Sequence, residues 1–308
     1  MLGLVLQTPP ASADSGAGAP GSAGPKAAQE RSSSWTAERM RSATSLDLLD
    51  VGSGAVKDAG KTVPRGEELK IPPLIPGGDD KAAPQGGGAW SGGGDVVNTT
   101  GRVFFKLDGK DASCSGNAVT SDNASTVMTA GHCVQMQGKW HTNWTFVPGY
   151  HDGKAPHGKW SAGKKLTTPQ WDAGEDNNYD IGAAVVKPLD GKRLTDVVGG
   201  QGLSFNAPYN STMYAFGFPA ADPYDGEKLT YCNGTAFEDF LLSKDHGIPC
   251  NMTGGASGGP WFTEFDEASG TGLQSSVNSF KYNFMSNAMF GPYFGKDAQK
   301  LYERAQAG

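Results

Sequence analysis

From about residue 95 onward, short apolar or alternating runs are separated by glycine, asparagine, aspartate and proline. Runs of this length with turn residues on either side are typical of β-strands. They predict strands over 103–107, 117–119, 125–129, 145–148, 181–186, 213–216 and 275–278. Helical spacing is confined to the C-terminus, where the apolar residues are Ala298, Leu301, Tyr302 and Ala305. The pattern predicts an all-β barrel or sandwich that ends in one helix over about 295–307.

The first third of the chain differs in composition. Its glycine- and proline-rich runs, such as 15–25 and 86–94, contain almost no large apolar residue. Such a segment cannot bury enough apolar surface to offset the entropy lost on ordering, so we predict a largely disordered N-terminal region. We interpret 14–94 as a propeptide or low-complexity linker that is processed near its glycine-rich end; the alternative is a plain disordered tail.

The first residues have the character of a truncated signal peptide. Residues 1–6 are apolar, and Ala11-Ser12-Ala13 has the small side chains that a signal peptidase accepts, although a basic start is missing. We therefore predict a signal peptide over 1–13, the alternative being an ordinary disordered N-terminus. No stretch approaches the ~20 apolar residues that cross a bilayer, so no membrane association is expected once the protein is mature.

Charge and cysteine usage narrow the function class. The formal net charge is −6, and no cluster of lysine and arginine forms the basic stripe that nucleic-acid binding needs. The cysteines fall as two close pairs, Cys114 with Cys133 and Cys232 with Cys250, which suits two local disulfides. A four-cysteine zinc site is disfavoured because no two cysteines have the CxxC spacing. Disulfides persist outside the cytosol, so we expect a secreted, extracellular protein.

A histidine and a serine each lie among small residues, in Thr129-Ala130-Gly131-His132-Cys133 and Gly254-Gly255-Ala256-Ser257-Gly258-Gly259. A serine hydroxyl becomes a good nucleophile only when a base such as imidazole removes its proton. The glycines around Ser257 allow a tight backbone, and we expect the amides of Gly255 and Ser257 to form an oxyanion hole. A phosphate-binding loop is disfavoured, because no GxxxxGK[ST] pattern occurs.

The third member of such a site is a carboxylate that orients the imidazole, and it normally lies beside an apolar strand. Asp180 precedes the apolar run 181–186, whereas Asp172 and Asp176 lack one. We therefore predict Asp180, which gives the chain order His132, Asp180, Ser257.

These three motifs, TAGHC, YDIGAAVV and TGGASGGPW, resemble those of the chymotrypsin-like serine peptidases, and the C-terminal part resembles the bacterial V8-like branch, which includes glutamyl endopeptidases. The resemblance implies a peptidase domain over 95–308, with two packed six-stranded antiparallel β-barrels at about 95–190 and 195–294. It implies that His132 is the general base and then acid, Asp180 its orienter and Ser257 the nucleophile. It also implies that a substrate strand pairs near Val277, Asn278 and Ser279, and that Cys114–Cys133 is the disulfide of the histidine loop.

Two positions depart from well-known family members. Ala256 replaces the aspartate that pairs with a new N-terminus in animal enzymes, so a propeptide would have to act differently, for example by blocking the cleft. Asn251, six residues before the nucleophile, replaces the acid of trypsin-like members, and the glutamate-reading histidine near Val277 is missing. We expect Asn251 to lie in the specificity pocket, but neither known preference is predicted.

The sequence thus predicts a monomeric, secreted serine endopeptidase that acts on protein or peptide substrates through an acyl-enzyme, without cofactor or metal. One alternative is a catalytically silent binding protein on the same fold. The other is an esterase with the same triad, although no GxSxG elbow occurs.

Overall fold

The computed structural model describes residues 34–51, 63–74, 87–239, 241 and 243–308. Trp35–Gly308 forms one compact unit. The predicted signal peptide, 1–13, lies outside the described residues, as do 14–33, 52–62 and 75–86 of the predicted propeptide. Among the described residues, no helix has the length and apolar character needed to span a bilayer.

Short elements of the N-terminal region come first in the chain. Thr36 caps helix α1 by accepting a hydrogen bond from the Arg39 amide, and residue 43 ends this helix in an extended conformation. The elements are α1 (Ala37–Ser42), β1 (Thr44–Ser45), β2 (Leu49–Val51), β3 (Leu69–Ile71) and β4 (Gly88–Ala89).

The elements up to the middle of the chain build an N-terminal barrel. They are α2 (Val96–Thr99), β5 (Thr100–Leu107), β6 (Lys110–Ala118), β7 (Thr126–Thr129), β8 (Gln135–Met136), β9 (Lys139–Trp140), β10 (Thr142–Pro148), β11 (Trp160–Thr167), α3 (Pro169–Gly174) and β12 (Gly182–Val186). Six strands pair antiparallel in the order β6-β5-β10-β11-β12-β7, and pairing of β6 with β7 closes the barrel. Closure removes the free edges, and side chains such as Val103, Phe146 and Trp160 fill the interior.

The C-terminal half contains α4 (Leu194–Val198), β13 (Gly202–Phe205), β14 (Thr212–Gly217), β15 (Thr230–Thr235), β16 (Phe237–Glu238), β17 (His246–Pro249), β18 (Pro260–Asp266), β19 (Thr271–Val277), β20 (Phe280–Tyr282), β21 (Met285–Gly291) and α5 (Lys296–Gln306). Its strands form two sheets, β3-β13-β19-β18-β14-β15-β4 and β16-β17-β21-β20-β2. The predicted all-β architecture with a C-terminal helix is therefore confirmed. The second half differs in detail, because its ladder is divided between two sheets.

Helix α5 returns to the N-terminal barrel. Its apolar side chains, those that the sequence pattern singled out, are buried in the core cluster that also contains Val103 and Phe146. An amphipathic stripe of this width is stable only when a second surface covers it. The helix thus ties the end of the chain to its first barrel.

Parts of the N-terminal region are built into the sheets, which its composition did not indicate. Strands β1 and β2 pair with β6 and β20, and β3 and β4 extend the larger C-terminal sheet. Trp35 and Met40 are buried with Phe104 and Tyr150. A few large apolar residues, widely spaced among small ones, are enough to hold these segments in place.

Candidate active site

His132 lies in a 3₁₀ turn, Gly131–Cys133, that begins two residues after β7. The Cys114–Cys133 disulfide joins this turn to β6, and His132 is completely buried. Position 131 must be glycine, because a Cβ there would lie 2.8 Å from the Trp171 ring and 2.9 Å from Asp180 Oδ1. The turn therefore holds the imidazole in a fixed place against its carboxylate.

Asp180 accepts hydrogen bonds with both carboxylate oxygens. Its Oδ1 accepts from the backbone amide of His132 at 2.7 Å, and its Oδ2 lies 2.7 Å from His132 Nδ1. Oδ2 also accepts from the hydroxyl of Ser279 at 2.6 Å. Because a carboxylate only accepts, Nδ1 carries the proton and Nε2 of the neutral ring offers a lone pair. This is the tautomer that a general base requires.

The Ser257 loop packs against the strands that lead to His132. The amide of Ser115 donates to the carbonyl of Ser257 at 2.7 Å. Gly258 has φ +78°, and a Cβ there would lie 2.1 Å from Thr129 Oγ1 and 2.8 Å from the Ala130 amide. Only glycine permits so close an approach. The loop and the histidine turn thus share one small region of the interface between the two halves.

His132 Nε2 and Ser257 Oγ are both buried, and neither has a hydrogen-bond partner within the described part of the chain. The structure thus joins His132 to Asp180 and brings the Ser257 loop to the same region, while these two reactive atoms make no hydrogen bond to each other. Buried polar atoms without partners are uncommon, and a catalytic role is one physical explanation for them.

Solved structures provide the decisive comparison. Protease Anisep from Arthrobacter nicotinovorans is 45% identical, with a TM-score of 0.66, and the match covers 70% of this chain and 98% of that one. The thermostable serine protease AL20 from an extremophilic microorganism is 41% identical, with a TM-score of 0.66, and the match covers 69% of this chain and 99% of that one. The chain belongs to the chymotrypsin-like serine proteases.

Comparison of this protease with family models gives no match. Among curated proteins, the Extracellular metalloprotease of Bacillus subtilis strain 168 is 38% identical over 71 residues. That match spans only 23% of this chain and 22% of that protein. Within the described residues, the group with metal-ligand spacing is Cys114, His132 and Cys133. Both cysteines are in a disulfide, so they offer no thiolate to a metal.

The amide of Gly255, the predicted oxyanion-hole residue, points at the N-terminal segment. The Gly255 φ of +93° is accessible to glycine without strain. The amide donates to the carbonyl oxygen of Leu46 at 2.9 Å, and Leu46 belongs to the N-terminal segment. This position can therefore bind a peptide carbonyl oxygen. Ala256, which follows it, is buried.

The backbone around the predicted substrate strand, Val277 to Ser279, is paired within the protein. Val277 pairs with Pro260, while the backbone of Asn278 bonds to Gly258 and Gly259. These hydrogen bonds hold the Ser257 loop against the end of β19. The edge that runs from the Ser279 carbonyl through β20 is paired with β2 of the N-terminal segment.

A pocket of about 610 Å³ opens beside the Ser257 loop. Asn251 lines it, and its side chain accepts a hydrogen bond from the Tyr224 hydroxyl at 2.9 Å. Lys281 also lines it and donates to the carbonyls of Cys250 and Ser286 at 2.9 and 2.6 Å. Burial lowers the pKa of Lys281 to about 8. Lys281 forms no ion pair with a described residue, and sequence reasoning did not single it out.

Sequence reasoning also missed a second histidine beneath the site. His141 is buried, its Nε2 donates to the His132 carbonyl at 2.8 Å, and its ring stacks on Phe105 with the centroids 4.3 Å apart. Burial lowers the pKa of His141 to about 4, so this ring is neutral at physiological pH. Its position in a polar loop sequence gave no sign of this burial. Both predicted disulfides, Cys114–Cys133 and Cys232–Cys250, are confirmed.

Proposed function

We propose that this protein is a secreted serine endopeptidase with the triad His132, Asp180 and Ser257. The observation that carries the proposal is the hydrogen bond between His132 Nδ1 and Asp180 Oδ2, which leaves Nε2 as a base in the region of the Ser257 loop. The proteases named above supply the family, and this geometry supports the roles of the individual residues.

The reaction follows from these positions. His132 Nε2 takes the proton of Ser257 Oγ as the oxygen attacks the substrate carbonyl, and Asp180 stabilises the imidazolium. The amides of Gly255 and Ser257 donate to the oxyanion of the tetrahedral intermediate. His132 then gives its proton to the leaving amine, and an acyl-enzyme remains on Ser257. Water, activated by the same base, releases the acid and restores the serine. This route requires neither a cofactor nor a metal.

Export and processing complete the proposal. We assign 1–13 as a signal peptide, 14–94 as a propeptide region and 95–308 as the peptidase domain, in the V8-like branch. The two disulfides and the extracellular Bacillus relative support export. The share of the chain that matches Anisep, 70% of 308 or about 216 residues, agrees with the 214 residues of 95–308. Protein or peptide chains are the expected substrates, acted on by a monomer.

The test is covalent labelling of the processed, folded protein with a fluorophosphonate probe. Mass spectrometry should place the label on Ser257, and the Ser257→Ala variant should not react. Labelling elsewhere, or none, would remove the nucleophile assignment. A silent binding protein would not react either, and an esterase would react but leave a diverse peptide mixture uncut, so peptide digestion completes the test.

A further inference from the structure

The segment Leu46–Val51 lies across the proposed active site. The Leu46 carbonyl accepts from the amide of Gly255 at 2.9 Å, which is the donor assigned to the oxyanion hole. Asp47 lies against Gly254, the residue before Gly255, because a Cβ on Gly254 would lie 2.6 Å from Asp47 Oδ1. Leu48 is buried in the core cluster of the C-terminal half.

The segment is held on both sides of the cleft. On the N-terminal barrel, β1 pairs with β6, and the Leu46 amide donates to the Ser113 carbonyl at 2.9 Å. On the C-terminal side, β2 pairs with β20, and the Leu49 amide donates to the Ser279 carbonyl at 3.1 Å. His132 and Ser257, the proposed base and nucleophile, are completely buried.

The direction of a substrate is fixed by the chemistry. Its scissile carbonyl must reach the Gly255 amide, and its leaving amine must lie toward His132 Nε2 to receive a proton. His132 belongs to the N-terminal barrel. The leaving half of a substrate therefore extends over that barrel, and the acyl half extends along β20.

The segment runs the opposite way. It enters over the N-terminal barrel at β1 and leaves along β20 at β2, and both pairings are parallel. If Ser257 attacked the Leu46 carbonyl, the leaving nitrogen would be that of Asp47, on the C-terminal side and away from His132. The amine could not be protonated, so the bond would reform.

From this we infer that Leu46–Val51 is a built-in inhibitor, bound in the reverse direction to a substrate and for that reason not cut by the site it blocks. The inference rests on the proposed function, because it takes the roles of His132, Gly255 and Ser257 from it. Such an inhibitor also explains how a protease can be kept inactive when Ala256 replaces the aspartate that pairs with a new N-terminus in animal enzymes.

Labelling of the full, unprocessed chain tests whether Leu46–Val51 blocks access to Ser257. Fluorophosphonate labelling of Ser257 should be at least about tenfold faster in Leu48→Asp and Leu49→Pro than in the unchanged chain, because reactivity follows the fraction of molecules with an open cleft. The matched control is Glu38→Gln, an exposed side chain on α1, which should react like the unchanged chain. Equal, rapid labelling of Ser257 in all four proteins would overturn the inference and leave the proposed function intact.

Hydrogen exchange gives a readout that does not depend on catalysis. The amides of Leu49 and Gly255 should be protected in the full chain and exchange faster in Leu48→Asp, while the core of β5 stays protected in both, which shows that the variant is folded. Absence of protection at Leu49 and Gly255 in the unchanged chain would overturn the inference. If none of the proteins reacts with the probe, the assignment of Ser257 as the nucleophile is wrong. The exchange data still show whether Leu46–Val51 occupies the proposed active site.

The reversed direction has its own test. Prolonged incubation of the full chain, followed by mass spectrometry, should show no cleavage between Leu46 and Leu49. A cut there that is absent from the Ser257→Ala variant would mean that the segment binds as a substrate, and it would overturn the reversed direction.

Discussion

The hydroxyl of Ser279 donates to Asp180 Oδ2 at 2.6 Å, although 99 residues separate the two in the chain. The same oxygen faces His132 Nδ1. Ser279 follows the strand that supports the Ser257 loop, so the C-terminal half of the molecule helps to position a carboxylate of the N-terminal half.

Removal of this hydroxyl in Ser279→Ala should lower kcat about tenfold, the effect of losing one hydrogen bond to a charged group, with little change in KM. The physical reason is that Asp180 would be less firmly oriented toward the imidazole. Steady-state kinetics of the processed enzyme provides the measurement. Ser279→Thr keeps the hydroxyl and should recover most of the loss; equal defects in both variants would contradict a positioning role.

The Asp180→Asn variant should lose about 10⁴-fold in kcat while remaining folded. An amide can accept with one oxygen but presents N–H donors on its other side, so it would favour the imidazole tautomer with a proton on Nε2. Circular dichroism checks folding and peptide turnover checks the rate. Activity within tenfold of the unchanged enzyme would exclude Asp180 as the orienting residue.

Loss of the histidine-loop disulfide in Cys114→Ala/Cys133→Ala should lower the free energy of unfolding by about 3 kcal/mol, as expected for a loop of this length. Urea denaturation, carried out on the Ser257→Ala background to prevent self-digestion, measures the change. The Cys232–Cys250 disulfide closes a loop of nearly equal length, so the Cys232→Ala/Cys250→Ala variant serves as the matched control for stability. Only the first pair should also reduce activity strongly, because it joins the His132 turn to β6.

His141 should make the fold sensitive to mild acid. Its pKa is about 4 in the folded protein and near 6.5 when unfolded, so the unfolded chain binds the proton more readily. Its stabilising contribution is complete above pH 6.5 and is lost as the pH falls toward 4, by an amount on the order of 3 kcal/mol. Urea denaturation across this range should show a flatter pH dependence in His141→Gln. An unchanged slope in that variant would contradict the prediction.

Lys281 should influence which side chain enters the pocket beside Ser257. Below pH 8 its ammonium is charged and has no carboxylate partner among the described residues, so acidic side chains at the cleaved position should be favoured over basic ones. This preference should weaken as the pH rises through 8, and Lys281→Met should abolish it. Cleavage of a peptide library at pH 7 and 9 provides the measurement. A preference that is the same in Lys281→Met would assign selectivity to other residues.

Each of the seven strands predicted from the sequence overlaps a strand of the structure, because each has turn residues at its ends and apolar residues that a barrel must bury. Strands β11, β15, β18 and β21 are among those that the sequence pattern did not indicate. The sequence singled out His132, Asp180 and Ser257 because each lies in a local sequence pattern, either a glycine-containing turn or the start of an apolar run. The pairing partners of the N-terminal segment could not be predicted, since a two- or three-residue strand carries no periodicity. Ser279, His141 and Lys281 make contacts that depend on the fold, and a single sequence does not reveal them.

The anchoring of α1 has a consequence for the timing of activation. Trp35 and Met40 are buried beside Phe104, and Arg39 forms two hydrogen bonds to Asp111, at 2.5 and 2.6 Å. These contacts do not depend on the peptide bonds that follow β2. A single cut downstream would therefore leave the severed piece seated, and activity would emerge only after a lag during which that piece dissociates or is digested.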